Sequence, residues 1–232
     1  MDTIKYTGQI KGFPLIKINS HEIIAKIQNG SFRMNSLKIY REMYDNCNDN
    51  IVGDPYEGKF IIHDAVFQIE ELGVNEHVKD FAFSTANEND FVFCMFGINP
   101  EKHISFKFTD EQKQKLIGFN DTALLITDIG EFATRIEQAA TGKGLKIKSD
   151  FVNYYDETID DVARLLSLVR NGMENIVFNK VKDYAYQQEY RFTIPNFTGD
   201  EYLELNIGDI TDISKVFTTE ELFNSYIEKH SN

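Results

Sequence analysis

The sequence predicts an α+β fold, a single domain over residues 1–232 built on a largely antiparallel, mixed-order sheet with flanking helices. Three observations carry that reading. Short β-rich runs and capped helical stretches follow one another without the regular strand–helix–strand rhythm of a parallel sheet. No repeat, low-complexity stretch or Pro/Ser-rich linker divides the chain. At 232 residues with 42% apolar content, the chain is long enough to bury a core without cross-links.

Each element has a local reason. Residues 4–18 read as an extended arm or strand, because β-formers there are interrupted by Gly8, Gly12 and Pro14. Ser20 is placed to N-cap a helix whose apolar side is Ile23, Ile24 and Ile27, with Gly30 as its stop. Residues 31–34 form a short strand, and Ser36 caps a helix over 37–44 in which Leu37, Tyr40 and Tyr44 share a face. A polar loop follows over 46–58. Residues 60–69 are a strand with a bend at His63 and Asp64. Residues 81–84 and 91–97 are expected to form a hairpin around a loop containing Asn87, Asn89 and Asp90.

Residues 104–108 alternate like a half-buried strand. Thr109 with Gln112 makes a capping box for a short helix ending at Gly118. Residues 123–127 are a strand, and Asp128 with Glu131 opens a helix through Ala140 that Gly142 closes. Residues 146–154 are extended. Thr158 with Asp161 opens the clearest amphipathic helix, bearing Val162, Leu165, Leu166 and Val169, and Gly172 ends it. Strands over 190–194 and 202–207 flank residues 195–199, and residues 216–217 add another. Thr218 with Glu221 caps a C-terminal helix carrying Leu222, Tyr226 and Ile227.

The formal net charge is −13, and it is unevenly spread. Residues 1–60, 61–130, 131–195 and 196–232 carry +1, −7, −1 and −6. Direct nonspecific nucleic-acid binding is disfavoured, since phosphate contacts need Lys and Arg. A protein that imitates nucleic acid and enters a partner's basic groove stays open. An anionic ligand would be held by the two near-neutral segments. Apolar runs under ten residues predict no membrane span. The start, Met-Asp-Thr-Ile-Lys-Tyr, lacks the features of a signal peptide, so a cytoplasmic protein is expected.

Several chemistries drop out. Two cysteines, Cys47 and Cys94, exclude a disulfide scaffold and a four-cysteine zinc site. The histidines at 21, 63, 77, 103 and 230 never fall at ligand spacing, so no metal is predicted. Phosphate-binding glycine loops, His-Glu-x-x-His and the Gly-x-Ser-x-Gly elbow are missing. The run Asp45-Asn46-Cys47-Asn48-Asp49-Asn50 fails as a calcium loop, because Cys47 takes a ligand position. Cys94, inside Phe91-Val92-Phe93-Cys94-Met95-Phe96, reads as a core thiol.

Three segments combine charge with sheet context. Arg33 lies on the strand before a helix bearing Tyr40 and Arg41. Ser84 and Thr85 end an apolar strand. Gln187, Glu189 and Arg191 share one strand face, with Gln188, Tyr190 and Phe192 on the other. The order Arg33, then Ser84-Thr85, then Gln187-Gln188-Glu189 resembles mono-ADP-ribosyltransferases of the arginine–serine–glutamate type. That resemblance implies NAD as ligand, with Arg33 on the pyrophosphate and Ser84 orienting the ribose and the glutamate. It implies Glu189 as the group that stabilises the oxocarbenium-like sugar while nicotinamide leaves, and Gln187 as the acceptor-selecting residue. Tyr40 would line the cleft.

A second resemblance rests on Gly53-Asp54-Pro55-Tyr56-Glu57-Gly58, Phe83-Ser84, and Tyr186 with Glu189-Tyr190-Arg191. These are similar to an uncharacterised bacterial family common near phage-defence genes. It implies a role in conflict between bacteria and phage, with a protein partner, and no settled chemistry. Physically, Asp54 and Glu57 flank a proline-fixed turn and are placed to accept hydrogen bonds from Arg33, Arg41 or Arg191. The expected function is thus a conflict-system protein with an ADP-ribosyltransferase-like site. The alternative is a non-enzymatic acidic inhibitor that occupies a basic groove on a nuclease or defence complex. Read structurally, the same charged residues are an ion-pair network in a half-buried sheet.

Overall fold

The computed structural model describes residues 5–6, 10–47, 53–84, 90–99, 101, 105–159, 162–195 and 202–228. The chain begins with β1 (Lys5–Tyr6), β2 (Leu15–Asn19), α1 (His21–Gln28), β3 (Ser31–Ser36) and α2 (Leu37–Cys47). A hairpin of β4 (Phe60–Ile69) and β5 (Val74–Phe83) precedes β6 (Phe91–Gly97), β7 (Ser105–Phe106) and α3 (Asp110–Leu116). Next come β8 (Thr122–Ile126), α4 (Ile129–Thr141), β9 (Lys148–Phe151), β10 (Asn153–Tyr155) and α5 (Val162–Asn171). The chain finishes with β11 (Asn179–Val181), β12 (Glu189–Ile194), β13 (Tyr202–Asn206), β14 (Ser214–Thr218), α6 (Thr219–Phe223) and β15 (Tyr226–Glu228). The fold is α+β, as its sequence predicts.

Eight strands make the main sheet, and every pairing within it is antiparallel. Its hub is β6. Along one edge, β12 pairs with the whole of β6, from Glu189↔Phe96 to Ile194↔Phe91, and β9 lies beyond β12. The other edge is divided: β3 takes Phe91 and Val92, whereas β2 takes Phe96 and Gly97. β13 extends the first limb, and β8 and β14 extend the second. The sheet therefore forks beside residues 93–95.

Strand alternation decides what each face buries. On one face, Phe32, Met34, Phe93, Leu124 and Phe192 pack against Ile24 and Ile27 of α1 and Phe132 and Ile136 of α4. The opposite face is covered in two parts. On the β2 limb, Ile16, Phe96 and Leu125 pack with Phe106, Phe108, Leu116 and Leu222. On the other limb, Val92 packs with Leu37, Leu168 of α5 and Ile176 of the 3-10 turn Met173–Phe178. Between these two packs, over the fork, lies a cavity lined in part by Tyr40 and Met43 of α2 and Leu116 of α3.

The caps expected at Ser20, Thr109, Asp128 and Thr218 form. Thr109 and Gln112 exchange both capping-box bonds, at 3.0 and 3.1 Å, as do Thr218 and Glu221, at 2.8 and 3.1 Å. Ser20 and Asp128 cap α1 and α4. Asp161 lies outside the described residues.

Two pairings differ from expectation. Residues 81–83 pair with β4 rather than with residues 91–97, because the chain already reverses at Gly73, whose φ is +62°. The polar run Val74-Asn75-Glu76-His77 hides this strand from its composition. Near the end, α6 stops at Phe223, and Tyr226 and Ile227 belong to β15, where Ile227 pairs with Phe106 and joins the apolar cluster there.

The α1–β3 connection rests on a close backbone approach. Gly30 has φ +96°, and a Cβ there would lie 2.5 Å from the carbonyl oxygen of Gly208. Gly30→Ala is expected to cost about 2–3 kcal/mol in urea unfolding. An unchanged midpoint and slope would contradict this packing.

Candidate functional site

The alternation of β12 puts Tyr190 and Phe192 on the face of α1 and α4, and sends Glu189 and Arg191 to the face over the fork. Arg191 is 1% exposed. Its Nε donates to Glu189 Oε2 at 2.7 Å, and its two terminal nitrogens donate to the Glu57 carboxylate at 2.5 and 3.0 Å. Nη1 also donates to the Val177 carbonyl at 2.5 Å. Lys180 of β11 donates to Glu189 Oε1 at 2.6 Å and to Gln187 Oε1 at 2.8 Å. The Glu189 amide donates to the Tyr154 hydroxyl at 2.8 Å.

Glu57 arrives on the turn over 53–58. Pro55 presets that turn, Asp54 Oδ1 accepts from the Tyr56 amide at 2.8 Å, and Gly58 takes φ +66°. The turn is tied down from outside. Arg41 Nε donates to the Glu57 carbonyl at 2.9 Å, Tyr184 to the Gly53 carbonyl at 2.7 Å, and Ser84 Oγ to the Gly58 carbonyl at 2.6 Å.

Together these groups form one wall of a cavity of about 400 Å³ above the fork. Such a volume suits a small ligand. Ile16, Ile18, Phe96 and Leu116 supply its apolar side, and Lys17, Tyr40, Glu57, Cys94, Lys180, Gln187, Glu189 and Arg191 its chemistry. Lys17 lies in the fork. Its ammonium donates to the Cys94 carbonyl at 2.7 Å and sits 4.8 Å from the Phe93 ring centroid.

Burial and charge set the protonation states. Burial alone would raise the Glu189 carboxyl, but the charges of Arg191 and Lys180 outweigh it and hold the group ionised, well below the usual carboxylate range. Burial lowers the Lys17 ammonium, and pushes the Cys94 thiol up to about 12, so the thiol stays protonated. Asp54 is 1% exposed, and its Oδ2 has no hydrogen-bond partner. Burial, followed by the charge of Glu57, raises Asp54 to about 6.

The structure gathers some of the expected residues and separates others. Tyr40, Glu57, Gln187, Glu189 and Arg191 line the cavity, Asp54 sits in the turn that delivers Glu57, and Arg41 braces that turn. Arg33 does not line it. Its side chain is exposed on the β3–β13 limb and stacks on Tyr202, 4.0 Å from the ring centroid. Ser84 is exposed at the end of β5 and closes the turn rather than the cavity. Thr85 lies outside the described residues. Arg33 is thus misplaced for a phosphate at this cavity, and Ser84 for a ribose.

Lys17 and Lys180 were not anticipated. The available signal was a lone lysine in an apolar run, Leu15-Ile16-Lys17-Ile18 and Val177-Phe178-Asn179-Lys180-Val181. A cation placed in a buried strand needs an anionic partner or a ligand.

No known family, curated protein or solved structure matches this chain. Its chemistry is read from the site itself. Among the described residues, no group of three or more His, Cys, Asp or Glu side chains is placed to hold a metal ion. No described helix is long and apolar enough to cross a membrane. The cavity sets Lys17, Lys180 and Arg191 against Glu57 and Glu189, which leaves one positive charge over while Asp54 is protonated. An ammonium has three donors, and Lys17 uses one on Cys94. The arrangement suits a ligand that carries an anionic group and hydroxyls able to donate to Glu189.

Asp54 makes the network pH-sensitive. Its carboxyl ionises near pH 6 in the folded protein and near 3.8 in the unfolded chain. The folded state therefore keeps a proton that the unfolded state loses between those values, and stability from this group falls as pH rises through 6. Asp54→Asn should raise stability at pH 8 on the order of 1–3 kcal/mol, with the gain vanishing below pH 4. Denaturation midpoints across that range test it, and a gain independent of pH would contradict it.

Proposed function

We propose that this protein is an enzyme acting on an NAD-type dinucleotide, with an ADP-ribosyltransferase-like reaction at Glu189. The single observation that carries the reading is a buried carboxylate, fixed between Lys180 and Arg191, in the wall of a cavity of about 400 Å³. Cleavage of the bond to nicotinamide leaves the ribosyl carbon with oxocarbenium-like positive charge, and the bonding pair departs with nicotinamide. A preorganised negative charge beside that carbon lowers the barrier. Glu189 supplies it and can also accept from the ribose hydroxyls, since each carboxylate oxygen holds more than one lone pair. An acceptor nucleophile then takes the sugar and releases its proton.

Lys17 replaces Arg33 as the cation for the pyrophosphate in this reading, because it lines the cavity and Arg33 does not. Gln187 sits beside Glu189 on the acceptor side, held by Lys180. The resemblance to the defence-associated family supplies the setting, conflict between bacteria and phage with a protein as target or partner. Glu189→Gln should lower NAD turnover about 10²- to 10³-fold, followed by release of nicotinamide, with far-UV circular dichroism confirming the fold. Turnover at the wild-type rate in a folded variant would end the proposal.

A second reading is favoured by the β4–β5 hairpin, whose strands pair only with each other among the described strands. Glu70 and Glu71 stand exposed at its tip, and Asp110 and Glu111 are exposed at the start of α3. On this reading the acidic surface enters the basic groove of a nuclease or defence complex. Replacing those four residues with lysine should then weaken binding to such a nuclease at least about tenfold and flatten its salt dependence. Calorimetric titrations at low and high salt measure both quantities, and unchanged binding would remove this reading.

A further inference from the structure

A second recess, of about 610 Å³, opens beside the cavity. Gly118 belongs to the walls of both. Three elements divide their neighbouring residues between the two spaces. On α2, Met43 lines the cavity and Tyr44 the recess. In the 3-10 turn Ile117–Phe119, Phe119 lines the cavity and Ile117 the recess. In the 3-10 turn Lys182–Gln187, Gln187 lines the cavity and Tyr186 the recess. The two spaces are thus adjoining compartments, and Gln187 Nε2 donates to the Tyr186 hydroxyl at their boundary, at 3.3 Å.

The recess differs from the cavity in chemistry. Its walls carry four tyrosines, Tyr44, Tyr56, Tyr184 and Tyr186. Tyr184 is buried with its hydroxyl committed to the Gly53 carbonyl, so it contributes its ring to the wall. Tyr56 is 40% exposed, an aromatic ring whose position no core packing requires. The Lys115 ammonium stands 4.6 Å from the centroid of the Tyr186 ring, and Glu157 and Asp183 complete the charged margin. One cation against two carboxylates does not favour a phosphate. Phenol rings lining an open recess suit a flat, uncharged heteroaromatic ring, which stacks on them.

We infer that the tyrosine-lined recess is the base-binding subsite of the ligand whose phosphate and ribosyl parts fill the cavity. This rests on the dinucleotide reading of the site. Tyr56 precedes Glu57 in one turn, so the same few residues hold the base on one side and the Arg191 network on the other.

Calorimetric titration with two probes tests the assignment: NAD, which spans both compartments, and ribose 5-phosphate, which enters the cavity alone. Tyr56→Ala and Tyr186→Ala should each weaken NAD binding about tenfold and leave ribose 5-phosphate binding unchanged. Tyr56→Phe, which keeps the ring, should bind NAD like the wild type. Equal losses for both probes would show that the tyrosines act only through the fold, and would overturn the subsite. Unchanged NAD binding in the alanine variants would overturn it too, and would leave the dinucleotide reading standing if Glu189→Gln still abolishes turnover. Failure of the wild-type protein to bind either probe would overturn both.

Discussion

A guanidinium withdrawn to 1% exposure has lost its water, so Arg191 is tolerable inside only because Glu57 and Glu189 come inward with it. That requirement joins three remote stretches of chain. The turn over 53–58 brings Glu57, β12 brings Glu189 and Arg191, and β11 brings Lys180 to balance the second carboxylate. Removing one partner of such a buried pair typically costs about 3–5 kcal/mol, because the remaining charge is left uncompensated. The network holds the 53–58 turn against the sheet together with the hydrogen bonds from Arg41, Tyr184 and Ser84.

The interactions that hold the network together also give it chemical use. Glu189 remains ionised inside the protein because the charges and hydrogen bonds of Arg191 and Lys180 outweigh its burial. Asp54 lies one step behind, raised to about 6, with an oxygen that nothing caps. By charge count its ionised form would cancel the positive charge left over, but burial and the Glu57 carboxylate beside it oppose that ionisation. The cavity therefore combines a fixed anion, a cation in the fork and a thiol kept neutral by burial. A solvent-exposed cluster of the same residues would carry similar charges, but water would screen them.

What the sequence discloses is local, and what it conceals depends on contacts far apart in the chain. Thr109 with Gln112 and Thr218 with Glu221 are legible because a cap is decided within four residues. The shared face of Glu189 and Arg191 follows from the two-residue period of a strand. Strand partners are another matter. The sequence predicts a hairpin of residues 81–84 with 91–97, whereas the turn at Gly73 pairs residues 81–83 with β4. Arg33 and Glu189 looked equally plausible as site residues. Arg33 is carried to the outer limb of the sheet and Glu189 to the fork, and no short motif encodes that difference. Lys17 and Lys180 escaped notice because a single lysine in an apolar strand does not reveal which carbonyl or carboxylate it will meet.

The fork in the sheet has a consequence of another kind. A stretch of strand edge without a partner strand is ordinarily a template on which a foreign chain can add itself, and proteins blunt such edges with charge. Here the edge at Cys94 faces inward between two limbs of one sheet, and the Lys17 ammonium occupies the carbonyl that a neighbouring strand would have taken. The same opening that would invite self-association on an outer edge lies between two limbs of the sheet, carries the Lys17 charge and forms the floor of the cavity. Protection from aggregation and room for a ligand thus come from one interruption in the hydrogen-bond ladder.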